Sequence, residues 1–329
     1  MSNERIWVGT PFILNFEDQQ QFFISLEDQG HEVIIDDCPA YLSEDELVEK
    51  IKNVTAVIAG AEPYTNKVME NTPDLKIIAR AGVGVNNIDI TSATKNNIVV
   101  TNAEGQNSSS VSEHFFGLLI NCTRRIHWMN ENIRKGAWRE IQPALVPLKD
   151  QTLGIIGFGN IGKLVAKRAK AFEMNVIAYD IVQDQEVAEQ IGVKFVSLDE
   201  LAEKSDFVTC HVPLTPDTKH IVNKQLLEKM KSEAFVFNTS RGPVFNLDEV
   251  TEALQNKVIQ GAGIDVYPEE PPDYSHPIFT MENAVLTPHM GGRGIDAVRN
   301  TINHAVTCVD DFLKGNKPST VINKEMYDN

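Results

Sequence analysis

Short runs of consecutive apolar residues alternate with segments of helical period almost from one end of the chain to the other. In the first third these runs are RIWVG, HEVII, TAVIAG, LKIIARAG and NIVVTN. Unbroken apolar runs of this length suit strands covered on both faces, as in a parallel sheet. Between them SEDELVEKIKN has helical period, and Ser43 with Glu46 forms a capping-box pattern at its start. A longer helix is predicted from Ser108 to about Arg125, with Phe115, Leu118, Leu119 and Cys122 along one side. A second alternating series begins at Thr152 with TLGIIGF, NVIAYD, KFV, DFVTCHV, AFVFNTS, GAGIDV and AVLTPH. Two α/β units in series predict two doubly wound, parallel-sheet domains. The last segment, Arg293 to Val321, is predicted helical, with the helix ending at FLKG, and is too short to fold alone, so it must pack on the smaller first domain. At 329 residues the chain exceeds the size at which one core usually stops growing, which agrees with two domains.

The second series opens with a glycine pattern. Gly157, Gly159 and Gly162 in GIIGFGNIG form G-x-G-x-x-G. Alone this is a weak signal, and a glycine turn made only for helix-sheet packing would look the same. Here it follows the apolar strand Leu153 to Ile156 and opens a helix whose Ile161, Leu164, Val165, Ala169 and Phe172 recur at helical spacing. About 20 residues on, the strand NVIAYD ends in Asp180, where dinucleotide sites place a ribose-binding acid. Glycines let the backbone approach a pyrophosphate, the helix start supplies N–H donors, and a free carboxylate would repel a 2′-phosphate. NAD is the expected cofactor.

Composition narrows the partners. Lys and Arg number 30 against 46 Asp and Glu, a formal charge of −16 that opposes general binding to nucleic acid or to anionic membranes. The amino-terminal MSNERIWVGTPFIL reads as neither a signal nor a transit sequence, and no stretch approaches the ~18 apolar residues of a membrane span. A cytoplasmic protein is expected. Cys38, Cys122, Cys210 and Cys308 lie far apart, with none of the spacings of zinc or redox sites, so reduced thiols and no metal are expected.

Three polar residues fall at or just past predicted strand ends, the edge where open α/β sheets bind ligands: Arg241 in FNTSRGP, Glu270 in GIDVYPEEPP and His289 in LTPHMGG. Each has a plainer reading as an ion pair, a solvated acid or a core histidine. A forked, always-charged arginine suits a carboxylate, and a histidine suits a proton that must travel both ways. A fourth element, ARAGVGVNNID from Ala79 to Asp89, is a strand followed by a glycine turn in the first domain.

Together RAGVGVNNID, GFGNIG, CHVPLTPDT, NTSRG, GIDVYPEEP and PHMGG stand in an order and spacing that resembles the D-isomer-specific 2-hydroxyacid dehydrogenases, over nearly the whole chain. The resemblance implies a discontinuous flavodoxin-like substrate domain, residues 1–102 with 290–329, and an inserted Rossmann NAD-binding domain, residues 103–289. It implies that Arg241 meets the substrate carboxylate and carbonyl, that His289 transfers the proton and that Glu270 supports it. Backbone N–H groups around Val83 and Gly84 are implied to hold the carboxylate. Cofactor contacts implied are Gly157, Gly159, Asn160, Ile161, Gly162, Asp180, His211, Val212, Pro213, Thr239, Ser240, Asp265 near the nicotinamide, and His289. The expected reaction interconverts a small 2-oxo acid and its (R)-2-hydroxy acid in a cleft that closes against water. A homodimer joined through the 108–125 region is expected, since relatives dimerise there. The resemblance also reaches NAD-sensing transcriptional corepressors, binding proteins on the same fold. Two departures stand out. Asn86 replaces an acid that many relatives carry, and Glu62 in AGAEPYT stands where phosphoglycerate enzymes often present a basic residue.

Overall fold

A computed structural model describes residues 3–9, 16–36, 42–139 and 144–328. Cys38 and the 10–15 stretch of the amino-terminal segment lie outside them. The chain divides into two compact units, one of residues 1–107 with 293–329 and one of residues 108–292.

The first unit is built on five parallel strands, β1 (Arg5–Val8), β2 (Glu32–Ile35), β3 (Ala56–Ala59), β4 (Ile77–Arg80) and β5 (Val99–Thr101), in the order β2-β1-β3-β4-β5. Side chains alternate across the sheet as the period-two geometry requires. Ile6, Val8 and Ile58 face one core with Ile302, Ala305 and Val309, while Trp7, Val57 and Ile78 face the other with Leu47, Ile51 and Val68. Both faces are therefore covered, which is why the strands read as unbroken apolar runs. Helices α1 (Ile24–Glu27), α2 (Glu44–Ile51), α3 (Asn66–Glu70) and α4 (Ile90–Lys95) connect the strands. At α2 the capping box is present in both directions: Glu46 N–H donates to Ser43 Oγ at 3.3 Å, and Ser43 N–H to Glu46 Oε2 at 2.8 Å.

The C-terminal helix, Ile295–Leu313, packs on β3 and β4 and ends within the expected FLKG. Gly315 takes a left-handed φ of +79° and Pro318 follows, two features that end a helix. The chain beyond returns to the sheet instead. Val321 bridges Thr101, and Asn323 Oδ1 accepts the Val100 N–H at 2.9 Å, so the tail covers the β5 edge.

Glu62 lies inside this unit at 1% exposure. Its Oε2 accepts the Gly60 N–H at 2.8 Å and the Tyr64 hydroxyl at 3.3 Å. Burial nevertheless dominates and pushes the carboxyl up to about 6, against those bonds and the charge of Arg80. The folded chain thus holds this proton more tightly than the unfolded chain. The resulting stability is fully present below the unfolded value of 4.5 and is lost as pH rises through about 6. The full swing is about 2 kcal/mol. Glu62→Gln cannot ionise, so the difference in unfolding free energy between the variant and the parent should move in the variant's favour by ~1 kcal/mol from pH 5 to pH 8. Urea titrations at the two pH values measure it, and a pH-independent difference would show that the carboxylate is not destabilised by burial.

The second unit begins with α5 (Ser108–Arg124) and α6 (Ile126–Arg134), separated by Arg125 in the left-handed region at φ +49°. The predicted apolar side of α5 is buried at Phe115, Leu118 and Leu119, with Cys122 half-buried. All seven predicted strands follow: β6 (Thr152–Ile156), β7 (Asn175–Tyr179), β8 (Lys194–Phe195), β9 (Phe207–Cys210), β10 (Phe235–Asn238), β11 (Gly261–Ile264) and β12 (Ala284–Leu286). They form one parallel sheet in the order β12-β11-β10-β9-β6-β7-β8. Between them run α7 (Asn160–Ala171), α8 (Gln185–Ile191), α9 (Leu198–Lys204), α10 (Lys224–Leu227) and α11 (Leu247–Gln255). Phe172 departs from the expected apolar face of α7. It caps the helix and is 40% exposed, stacked on Phe116 at 5.3 Å.

Strand order reverses between β6 and β9, and at such a switch point the loops after the two strands diverge and leave a crevice. The loops that diverge here carry Gly157 and His211. Among the described residues Cys122, Cys210 and Cys308 are free thiols, and no group of His, Cys, Asp and Glu could hold a metal ion. Burial pushes the Cys122 thiol up to about 12, which leaves it unreactive.

Candidate active site

The turn after β6 is built for close backbone approach. Gly157 has φ +98°, and a Cβ there would meet the His211 carbonyl at 2.7 Å. A Cβ on Gly162 would collide with the Gly157 carbonyl oxygen, so α7 can lie this close to the turn only with glycine. Gly159 differs: a Cβ there would meet nothing within 4 Å, and it stands exposed beside Asn160 at the start of α7. Gly159 caps that helix without a side chain. A surface of main-chain N–H groups at the positive end of a twelve-residue helix is what a pyrophosphate fits. Asp180 is fixed at the end of β7 by Phe158 N–H to Oδ2 at 2.6 Å and Val182 N–H to Oδ1 at 2.9 Å. Each oxygen keeps a lone pair for a ribose hydroxyl. Ile181 and Val182, 90% and 74% exposed, stand beside it as an apolar wall for a planar base.

At the end of β9, burial pushes His211 down to about 3, so its ring is neutral. Its Nε2 lies 3.1 Å from Thr209 Oγ1, while Nδ1 is buried with no protein partner among the described residues. Thr239 Oγ1 after β10 is another such buried atom. Other such atoms lie in the first unit, but among the described residues of the second unit these are the two, and both stand in loops that follow its strands. The residues present therefore fit a dinucleotide. Val212 and Pro213 continue the His211 loop, and Ser240 follows Thr239.

The chemistry-bearing side chains come from the β10, β11 and β12 ends. Asn238 braces the first: its Oδ1 accepts the Ser240 N–H at 3.0 Å and its Nδ2 donates to the Arg241 carbonyl at 2.9 Å. Gly242 passes so close to the Tyr267 and Pro268 backbone that any side chain would collide. This contact sets the Arg241 turn against the loop that carries Glu270. Burial pulls the Arg241 guanidinium below its usual value and the Glu270 charge opposes it, with the group still cationic at neutral pH. Glu270 Oε1 accepts the Tyr267 N–H at 3.1 Å, and its Oε2 lies 2.6 Å from His289 Nδ1. Burial would raise the Glu270 carboxyl, but the His289 hydrogen bond and charge and the Tyr267 N–H together hold it below the ordinary range. An ionised acceptor on Nδ1 places a proton there and directs Nε2 away from it.

His289 sits at φ +54°. Asp265, 1% exposed, supports that turn: its carbonyl accepts the His289 N–H, and its carboxylate accepts the Met290 and Gly291 N–H groups, all at 2.8 Å. Thr287 Oγ1 lies 2.6 Å from Oδ1 and His114 Nε2 lies 3.1 Å from it. Burial raises this carboxyl and those partners, His114 first, hold it below its usual value. Among the described residues Oδ2 accepts only the Gly291 N–H, which leaves one acceptor direction for a carboxamide.

Residues 116–291 match the family model for the D-isomer specific 2-hydroxyacid dehydrogenase, NAD binding domain. The chain belongs to the D-isomer-specific 2-hydroxyacid dehydrogenase family. It is 39% identical over 284 residues to a D-3-phosphoglycerate dehydrogenase of Methanocaldococcus jannaschii, a match of 86% of this chain and 54% of that relative. It thus spans about half the length of that relative. It is 38% identical over 288 residues to a glyoxylate reductase of Thermococcus litoralis, covering 85% of this chain and 87% of the relative. Among solved structures it is similar to the TT0316 protein of Thermus thermophilus, with a TM-score of 0.86 and 30% identity, over 97% of this chain and 99% of the other.

In this 2-hydroxyacid dehydrogenase homologue, Arg241, Glu270 and His289 stand on three consecutive strand ends, with Glu270 and His289 in direct contact. Glu270, and not its neighbour Glu269, is the acid on His289. Val83 and Gly84 lie in the first unit, where Asn102 Nδ2 donates to the Val83 carbonyl at 2.9 Å. Reading the sequence missed Asn238, Thr287 and His114. Only His114 left a trace: it lies three residues after Val111 and four before Leu118, a polar side chain at the edge of the buried stripe of α5.

Proposed function

We propose that the protein is an NAD-dependent oxidoreductase that interconverts a small 2-oxo acid and its (R)-2-hydroxy acid. The observation that carries this reading is the 2.6 Å contact between Glu270 and His289 Nδ1, beside a cationic Arg241 in a dinucleotide-binding unit. Bound NADH supplies the hydride to the carbonyl carbon. His289 gives its Nε2 proton to the carbonyl oxygen, and in the reverse direction takes it back from the hydroxyl. Glu270 holds the imidazole in orientation through its Nδ1. Arg241 polarises the carbonyl and pairs with the carboxylate through its fork. The N–H groups of Val83 and Gly84 serve as further carboxylate donors. Gly157, Gly159, Asn160, Ile161 and Gly162 carry the pyrophosphate. Asp180 takes the ribose, and the His211–Pro213 and Thr239–Ser240 loops with Asp265 line the rest of the cofactor site.

A substrate of two or three carbons is favoured, because the relative matched over most of its own length is named a glyoxylate reductase. Glu62, buried and acidic, offers no cation to a phosphate. The test is NADH oxidation with glyoxylate, hydroxypyruvate, pyruvate and 3-phosphohydroxypyruvate. Turnover fastest with the phosphorylated acid would overturn the substrate assignment, and no turnover with any of them would overturn the reaction.

Asp180 presents a fixed carboxylate where NADPH would place its 2′-phosphate. NADH should therefore be strongly preferred, and Asp180→Ala should narrow the gap by relieving repulsion of NADPH. Ratios of kcat/KM for the two cofactors measure this, and equal use by the unaltered protein contradicts it.

We also propose a homodimer. Phe115 and Phe116, the large apolar residues of the expected 108–125 region, are buried within the unit, but the adjoining helix α6 has no buried residue although it carries Ile126 and Ile133, 49% and 46% exposed. Such an apolar set needs a cover, and a second copy supplies one. Light scattering should give twice the chain mass, and Ile133→Asp should shift it toward the monomer. A concentration-independent monomer in the parent protein would count against the assignment. The protein is proposed to work in the cytoplasm, and no described helix is long and apolar enough to cross a membrane.

A further inference from the structure

The turn that carries His289 is held from behind by α5. His289 occupies the left-handed region, which a side chain rarely adopts unless its surroundings enforce it. The enforcing groups are the Asp265 carbonyl and carboxylate, which accept three successive N–H groups from His289 to Gly291. That carboxylate is itself oriented. Thr287 Oγ1 lies 2.6 Å from Oδ1, and His114 Nε2 lies 3.1 Å from the same oxygen and 2.9 Å from Thr287 Oγ1.

Proton counting fixes the roles. Asp265 is ionised and can only accept, so the single proton of the Thr287 hydroxyl goes to it. The Thr287 oxygen is then an acceptor toward His114. Nε2 of His114 must therefore carry a hydrogen, shared between Thr287 and Asp265. One turn earlier on α5, Ser110 Oγ donates to the Gly291 carbonyl at 2.7 Å. Two side chains four residues apart, on one face of one helix, thus grip the two sides of the turn. Gly291 fits closely between them, since a Cβ there would stand 3.0 Å from Asp265 Oδ2.

We propose that His114 is a positioning residue for the reaction, acting through Asp265 and Thr287 to aim His289. This rests on the reading of His289 as the proton donor. His114 touches neither reactant, and its bond is to Asp265 Oδ1 while the Gly291 N–H separately holds the Oδ2 that faces the carboxamide, so its loss should act on kcat far more than on cofactor affinity.

The donor is what the position requires, and replacements separate donor from shape. Glutamine carries an amide Nε2 the same number of bonds from Cβ, whereas phenylalanine keeps a ring and has no N–H. With glyoxylate as substrate, His114→Phe should lower kcat by about 10-fold or more, with KM within about threefold and NADH affinity by fluorescence titration within about twofold. His114→Gln should stay within about threefold of the parent kcat. Thr287→Val, nearly isosteric, removes the hydroxyl between the two groups and should reproduce the kcat loss; it decides the matter if His114→Phe does not fold. Parent-like kcat in the phenylalanine and valine variants overturns the inference, as does an equal loss in the glutamine and phenylalanine variants with weakened NADH binding. His289→Asn is the control for the underlying reading. If it is inactive while His114→Phe is normal, only the role of His114 falls. If it retains activity, the reading of His289 falls first.

Discussion

His289→Asn should cut kcat for 2-oxo acid reduction by about 10²- to 10⁴-fold, the range that a positioned general acid contributes, and leave NADH affinity nearly unchanged. Asparagine can still accept or donate a hydrogen bond, but it cannot release a proton to the developing alkoxide near neutral pH. The Glu270 contact predicts a second, finer effect. The carboxylate and the imidazolium attract each other, which is one reason the Glu270 carboxyl stays below its usual range despite burial. Removing the charge in Glu270→Gln takes away the ionised acceptor that orients the ring, so the reduction rate should fall and the acid limb set by the Glu270 carboxylate should disappear. The carboxylate persists below the ordinary carboxylate range, so its help to His289 is lost only as pH falls through that lowered value. Glu269→Gln, at an exposed neighbour, should leave the profile in place. Stopped-flow reduction rates across pH measure both the rate and the limb. Identical profiles for the two glutamine variants would remove Glu270 as the partner of His289.

Much of this site could be read from the chain because its parts impose local requirements. Gly157 and Gly162 are recognisable because a left-handed turn and a close helix exclude every other side chain. Arg241, Glu270 and His289 are recognisable because they follow apolar strand runs, and strand ends are where a parallel sheet places its ligands. What could not be read depends on contacts between distant segments. Thr287 and His114 are 173 positions apart, and nothing in either neighbourhood announces the other. Glu62 is buried because its partners Gly60 and Tyr64 fold the loop around it, which nothing in AGAEPYT announces. The chain after the last helix is another such case: Val321 serves the β5 edge as extended chain, and nothing in its own neighbourhood announces Thr101 as its partner.

Arg241→Lys should lower kcat/KM for the 2-oxo acid by at least ~10-fold, a loss of order 1.4 kcal/mol or more in transition-state stabilisation. Charge is conserved in this substitution, so the effect isolates geometry. The arginine is held by its surroundings at two levels. Asn238 fixes its carbonyl, and the close passage of Gly242 against Tyr267 fixes the turn on which it stands. Its Nη1 donates to the Ser240 carbonyl at 2.6 Å, which orients the plane of the fork. A lysine ammonium has no plane to orient. It could meet the carboxylate or the carbonyl oxygen, but not both in the fixed arrangement that a forked donor gives. The loss should therefore appear in both kcat and KM, because the carboxylate is bound before the reaction and the carbonyl charge grows during it. NADH affinity should not follow, and the melting temperature should change little, since the Ser240 contact is one partly buried bond among many. If kcat/KM is unchanged while the melting temperature drops, Arg241 is a structural cation of the 238–242 turn and the substrate carboxylate is bound elsewhere.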